Sequence, residues 1–133
     1  MNTLAEVFKA VSDPTRLRLL RLLLEVGVEV CGCELVDSLL IPQYNLSKHL
    51  RVLRGQDLIT SRKEGQWVYY RIGTMTDPAR ASLIRLIAQV PDRSAAGDVK
   101  RFQRRLKLRT KGRCLVGVQS IQLVPKAGKG RSR

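Results

Sequence analysis

A single histidine, His49, serves a chain of 133 residues, and acids are scarce: 11 Asp and Glu stand against 25 Lys and Arg. With one imidazole and no nucleophile–base string, an enzyme is not expected. No apolar run approaches the ~20 residues that span a bilayer, so no membrane partner is expected. The opening "MNTLAEVFKAV" lacks the basic segment, apolar stretch and small-residue cleavage site of a secretory signal. A cytoplasmic protein is the expectation. The three cysteines agree, because a disulfide framework normally needs an even count. Internal repeats are also missing.

What is present suits one domain with a tail: hydrophobic residues make up 44% of the chain, enough for a core. The charge is unevenly spread. Residues 1–90 carry 12 basic and 9 acidic side chains, a net +3, whereas residues 91–133 carry 13 and 2, a net +11. A basic tail of this kind attracts phosphates through counterion release, or simply stays solvated. Charge alone does not choose between the two.

Periodicity places the elements. Leu4, Val7, Phe8 and Val11 recur at helical spacing over residues 3–11. In "SDPTRLRLLRLLLEVG", Asp13 can cap the orphan amides of a first turn and Pro14 suits the first helical position. Leu17, Leu20, Leu23 and Leu24 form the expected apolar stripe, and Gly27 a stop. A short helix over 33–40, with Leu35, Val36, Leu39 and Leu40 available for burial, is broken by Pro42. A second helix follows in "QYNLSKHLRVLRGQ", with Leu46, Leu50 and Leu53 on one face. Two short helices joined by about two residues, the second polar and basic outside, make a helix-turn-helix pattern. "LITSRKEGQWVYYRI" alternates like a hairpin turning at Glu64-Gly65, the wing of a winged helix. Residues 77–90 return to helix behind Asp77-Pro78, with Leu83, Leu86, Ile87 and Val90 as a stripe suited to a second subunit. Beyond Pro91, Val99, Phe102 and Leu106 permit a basic amphipathic helix. "CLVGVQSIQLV" reads as a strand or an apolar patch, and "KAGKGRSR" is too polar and glycine-rich to order alone. The expected fold is therefore mainly α with a β-hairpin wing. A winged helix-turn-helix domain over 1–91 precedes a basic C-terminal extension over 92–133, partly helical or disordered.

"FKAVSDPTRLRLLRLL", "NLSKHLRVLR" and "DLITSRKEGQWVYYRI", in this order and over roughly residues 3–90, resemble the ArsR/SmtB family of metal-sensing repressors. The resemblance implies a homodimer whose recognition helices enter successive major grooves of double-stranded operator DNA. It makes Gln43, Asn45, Ser47, Lys48, His49 and Arg51 the candidate DNA contacts. Their chemistry suits base reading, since Gln and Asn pair with adenine edges while Lys and Arg reach guanine or phosphate. Arg62, Lys63 and Gln66 on the wing would engage the backbone. His49 is open to two readings, facing the groove or making a structural hydrogen bond inside.

Cys31-Gly32-Cys33 stands at the start of the first helix of the pair. On residue type alone, two readings remain: small buried fillers, or paired soft ligands for a thiophilic ion. The resemblance favours ligands, since family members responding to arsenite, antimonite, cadmium or lead carry Cys-x-Cys at this place. Some arsenite sensors add a cysteine three residues on, where this chain has Val36, so a three-sulfur site would need Cys114. Four-thiolate cadmium and lead sites draw on extra N-terminal cysteines, and residues 1–30 hold none. The His/Asp zinc set of the last helix finds only Asp77 between 76 and 90. As(III) or Sb(III) is thus the expected inducer, ahead of cadmium and lead, with zinc last. A nearby helix N-terminus is expected to lower the thiol pKa values. The alternatives are a repressor of the same fold that senses thiol oxidation through Cys33 and Cys114, and a basic nucleic-acid binder acting through its tail.

Overall fold

The computed structural model describes residues 2–120. Its elements are α1 (Asn2–Val11), α2 (Pro14–Val26), β1 (Val30–Cys31), α3 (Gly32–Leu39), α4 (Gln43–Gly55), β2 (Ile59–Glu64), β3 (Trp67–Ile72), α5 (Pro78–Gln89) and α6 (Ser94–Leu106). This is a winged helix-turn-helix, mainly α, as the sequence implies. The strings "IQLVP" and "KAGKGRSR" lie outside the described residues.

Local chemistry sets most boundaries. Asp13 accepts the Arg16 amide at 3.0 Å and Asp77 accepts the Ala79 amide at 3.1 Å, each just before a proline that needs no donor. Gly27 takes the left-handed conformation that ends α2, with φ 64°. Gly65, with φ 63°, turns the hairpin, and β2 pairs with β3 from Ile59↔Ile72 to Glu64↔Trp67.

The sheet has a third member that alternation did not reveal. β1 pairs antiparallel with β3 through Val30↔Tyr70 and Cys31↔Tyr69, giving the order β1-β3-β2. Two residues are too few to show a period. Their pairing matters, because it ties Cys31 to the wing.

Two expected faces shift. In α2 the buried residues are Leu19, Leu20, Leu22 and Leu23, while Leu17 is 39% exposed. The helix is wrapped by several neighbours, so its buried face is wider than one stripe. Leu17 instead joins Phe8, Leu86 and Val90 along an open apolar groove between α1 and α5. Leu40 is 50% exposed, because it caps α3 in the left-handed conformation (φ 59°) and turns outward. Burial on α3 goes to Leu35, Val36 and Leu39, and also to the polar Glu34, Asp37 and Ser38.

Asp37 and Ser38 meet Arg105 and Arg101 of α6, which lies against α3 and α2, while Glu34 is met by Arg109 just beyond it. Phe102 is fully buried in the same apolar cluster as Leu35, Leu39 and Leu46. Residues 94–106 thus complete the core instead of trailing from it, and a boundary at Pro91 does not separate two cores. Val99 and Leu106 are only half-buried, whereas Asp98 and Arg105 share the buried face with Phe102. Asp98 receives Arg18 at 2.8 Å and Arg101 at 2.7 Å, clamping α6 to α2. Phe102→Ala should therefore destabilise the protein by about 3–5 kcal/mol in urea denaturation. A loss below about 1 kcal/mol would mean that α6 is a loosely attached extension.

Candidate thiol site and nucleic-acid interface

Cys31 caps α3 and its N–H donates to Glu34 Oε1 at 2.8 Å. Cys33 follows in the first turn, with Gly32 between them. The Cys33 Sγ lies 3.5 Å from the Cys31 Sγ and 3.1 Å from the Cys114 Sγ. All three sulfurs fall within 4.8 Å of one another, and all three cysteines are buried. A metal–sulfur bond of ~2.3 Å, with angles between right and tetrahedral, spaces its sulfurs roughly 3.3–3.8 Å apart. The Cys33–Cys31 and Cys33–Cys114 separations are near that spacing, and all three sulfurs come from one chain.

Cys114 arrives through a scaffold that the sequence hides. Arg109 grips the buried Glu34 carboxylate with two bonds, at 2.8 and 2.7 Å, and donates to the Glu29 carbonyl at 2.8 Å. Residues 110–113 turn back through the Thr110↔Arg113 bridge, with Lys111 and Gly112 at positive φ. The Cys114 amide then donates to the Tyr69 hydroxyl at 2.9 Å. Beyond it, Asp37 accepts the amides of Gln119 and Ser120, at 2.9 and 2.7 Å, and the Ser120 hydroxyl at 2.7 Å.

Arg105 stands at the centre. Its Nη2 lies 3.1 Å from the Cys33 Sγ and 3.7 Å from the Cys114 Sγ, and donates to the Val116 carbonyl at 2.6 Å. Its Nε is 2.9 Å from Asp37 Oδ2 but poorly aligned for a hydrogen bond, so that contact is a buried ion pair. The spacing of Glu34, Asp37, Arg105 and Arg109 carries one usable signal: carboxylates and arginines recur at helical intervals that apolar stripes leave out.

The expected lowering of the thiol pKa is not found at Cys33 or Cys114. Sharing a hydrogen with Cys31, and burial, hold Cys33 far above the ordinary thiol range. Burial, with Cys33 beside it, pushes Cys114 up to about 11. At Cys33 the Arg105 charge is outweighed, because a thiolate there would lose the hydrogen shared with Cys31 and is desolvated besides. Cys33 and Cys114 are therefore neutral thiols at pH 7.

The DNA-contact candidates divide. Gln43, Ser47, Lys48 and Arg51 are exposed on α4, and Asn45 is half-buried. His49 turns inward: its Nδ1 lies 3.0 Å from Arg16 Nη1, and burial lowers its pKa, so it stays neutral and accepts. On the wing, Lys63 and Gln66 are exposed. Arg62 is engaged by Glu29 and Glu64, each at 2.8 Å, and stacks over Tyr69.

Recognition helix, wing and a buried three-thiol cluster together define a winged helix-turn-helix regulator. A sequence model for bacterial regulatory proteins of the arsR family matches residues 13–61. An HTH-type transcriptional regulator of Methanocaldococcus jannaschii is 41% identical over 65% of this chain and 92% of its own length. The arsenic resistance regulator ArsR2 of Pseudomonas putida is 44% identical over 54% of this chain, but only 62% of its own length is matched. HlyU from Vibrio cholerae, solved also in a form described as reduced, superposes with TM-score 0.56 at 31% identity, over 65% of this chain and 88% of its own. The chain belongs to the ArsR/SmtB family of transcriptional regulators.

The raised thiol pKa values have a measurable consequence. Because the folded state holds these protons more tightly than the unfolded chain, their contribution to stability is complete below the ordinary thiol value of 9.0 and is lost as pH rises towards about 11. Between pH 8.5 and 10.5 the unfolding free energy should fall more steeply for the native protein than for C33S/C114S, by on the order of 1–2 kcal/mol. Equal slopes would mean that Cys33 and Cys114 do not hold their protons more tightly in the folded state.

Proposed function

We propose that this protein is a cytoplasmic, homodimeric repressor that binds operator DNA and lets go when As(III) or Sb(III) is captured by Cys31, Cys33 and Cys114. The observation that carries the reading is the cluster of three buried sulfurs on a winged helix. The arsenic-resistance names among its relatives lend support. Dimerisation would use the open apolar groove of Phe8, Leu17, Leu86 and Val90. Operator contacts would come from Gln43, Asn45, Ser47, Lys48 and Arg51, with Lys63 and Gln66 beside them; His49 and Arg62 would act mainly as supports.

Neutral thiols favour one kind of ligand. Arsenous acid brings its own hydroxides: three As–O bonds break, three As–S bonds form, and each thiol proton leaves as water. A bare divalent cation brings no base and must expel the thiol protons into solvent, so its affinity depends on pH. The buried, protonated Cys33 and Cys114 therefore support As(III) or Sb(III) over cadmium and lead, and zinc least.

The link to DNA is short. Cys31 belongs at once to the sheet that forms the wing and to the cap of α3, and Cys33 lies in the first turn of the helix that supports α4. Drawing three sulfurs onto one atom moves these elements together. A coupling of roughly 1–3 kcal/mol per site changes operator affinity about 5- to 150-fold.

A second reading rests on the Cys33–Cys114 separation of 3.1 Å and on the likeness to HlyU. Peroxide would oxidise one thiol to a sulfenic acid, releasing water, and the other thiol would displace a second water to close a disulfide. Mass spectrometry after peroxide treatment would detect that covalent change, which the metalloid reading does not require.

Two outcomes are expected of the metalloid reading. C31S, C33S and C114S should each keep operator binding within a few-fold while losing at least about 10-fold of arsenite-induced release in an electrophoretic shift or anisotropy titration. Release at unchanged arsenite concentration would sink the three-sulfur site. Between pH 6.5 and 8, arsenite affinity should stay nearly flat while cadmium affinity climbs by about 10-fold or more per unit.

A further inference from the structure

The chain that follows α6 joins that helix to the recognition helix. Gly117 and Val118 line a cleft with Gln43 and Ser47 of α4 and Gln66 of the wing. Directly after them, Gln119 and Ser120 line a second groove, of about 400 Å³, with Leu40, Arg101, Arg104 and Leu108. Leu40 caps α3 at the tight turn into α4. One surface therefore runs from the wing, past the N-terminal end of α4, onto α6.

The unpaired charge on the α6 end of that surface is of one sign. Lys100, Arg104 and Lys107 follow at helical spacing, so they share one side of α6, and all three are exposed. The neighbouring arginines are occupied: Arg18 and Arg101 on Asp98, Arg105 on Asp37, Arg109 on Glu34. No ion pair among the described residues takes up Lys100, Arg104 or Lys107. Asp37, the one carboxylate lining the groove, is already met by Arg105 and by the amides of Gln119 and Ser120. Leu40 and Leu108, 50% and 42% exposed, add apolar surface beside the cations. The row is also fixed relative to α4, since Asp98 clamps α6 to Arg18 of α2 and Arg101 donates to the Ser38 carbonyl of α3 at 2.6 Å. Cations held in this way lose less freedom on meeting a ligand than cations on a flexible chain.

Resting on the operator-binding reading above, we infer that α6 is a third DNA-contacting element beside α4 and the wing. Lys100, Arg104 and Lys107 bind backbone phosphates of the duplex at the edge of the major groove that takes the N-terminal end of α4. A DNA backbone alternates phosphate with less polar sugar, which suits a rigid row of cations with leucines alongside. These contacts carry no base information. They set register, raise affinity for every duplex alike and steepen its dependence on salt through counterion release.

The experiment compares the full chain with Lys100→Gln/Arg104→Gln/Lys107→Gln on an operator duplex that the native chain selects from a random-sequence library. In anisotropy titrations the slope of log affinity against log salt should flatten by about 2–3 per subunit, and affinity at about 0.15 M salt should fall about 10- to 100-fold. The preference for operator over unrelated duplex should stay as it was. In phosphate-ethylation interference, a few phosphates beside the α4 groove should block the native chain and cease to matter for the variant. If the triple variant unfolds at a lower temperature than the native chain, Arg104→Gln alone takes its place, with an expected slope change of about 1 per subunit. An unchanged slope or an identical interference pattern overturns the α6 contact, and so does a loss confined to the operator, which would mean base reading. If selection yields no preferred duplex, the operator-binding reading falls and this inference with it.

Discussion

Two buried ion pairs hold this structure in its working form: Arg109 on Glu34 and Arg105 on Asp37. All four groups are largely hidden from water, and both carboxylates belong to α3, the helix that begins with Cys31 and Cys33. Buried pairs of this sort contribute little net stability when set against well-packed apolar groups, yet removing one partner is severe because a lone charge is left inside. Their value here is positional. They force the segment after α6 to run back across the mouth of α3, and Cys114 is carried to its partners as a result.

The same packing decides the chemistry of the sulfurs. A cysteine at a helix N-terminus beside an arginine is ordinarily a candidate for thiolate formation. Here burial beneath α6 and residues 114–118 wins, and Cys33 and Cys114 keep their protons. In the proposed function, that outcome favours hydroxides that accept protons as they bind over cations that need thiolates. It also separates two duties within a small volume: the thiol cluster stays dry, while α4 keeps Gln43, Ser47, Lys48 and Arg51 in solvent.

Where the information was local, the sequence was legible. Asp13-Pro14 and Asp77-Pro78 each start a helix, Glu64-Gly65 turns the hairpin, and Leu46, Leu50 and Leu53 form the inner face of α4. The Cys31–Cys33 pair could be seen at once, and Cys114 could be named as the remaining sulfur. The burial of Glu34, Asp37 and Ser38 could not, because nothing nearby in sequence covers them. Their partners Arg101, Arg105 and Arg109, on α6 and just beyond it, arrive more than sixty residues later, and a polar helix face looks solvated until that happens. β1 escaped notice because two residues show no period, and Leu17 misled because a leucine on an open groove is written like a leucine in a core. Charge misled in a similar way: Arg105 and Arg109 look like part of a solvated basic tail, yet both turn inward.

In the proposed function, release from operator DNA depends on three sulfurs of one chain closing on one atom. Arsenic X-ray absorption on the full protein loaded with arsenite addresses that directly. Three sulfur neighbours and no oxygen are expected in the native chain, falling to two sulfurs and one oxygen in C114S. Two sulfurs and an oxygen in the native protein, or three sulfurs persisting in C114S, would contradict the site.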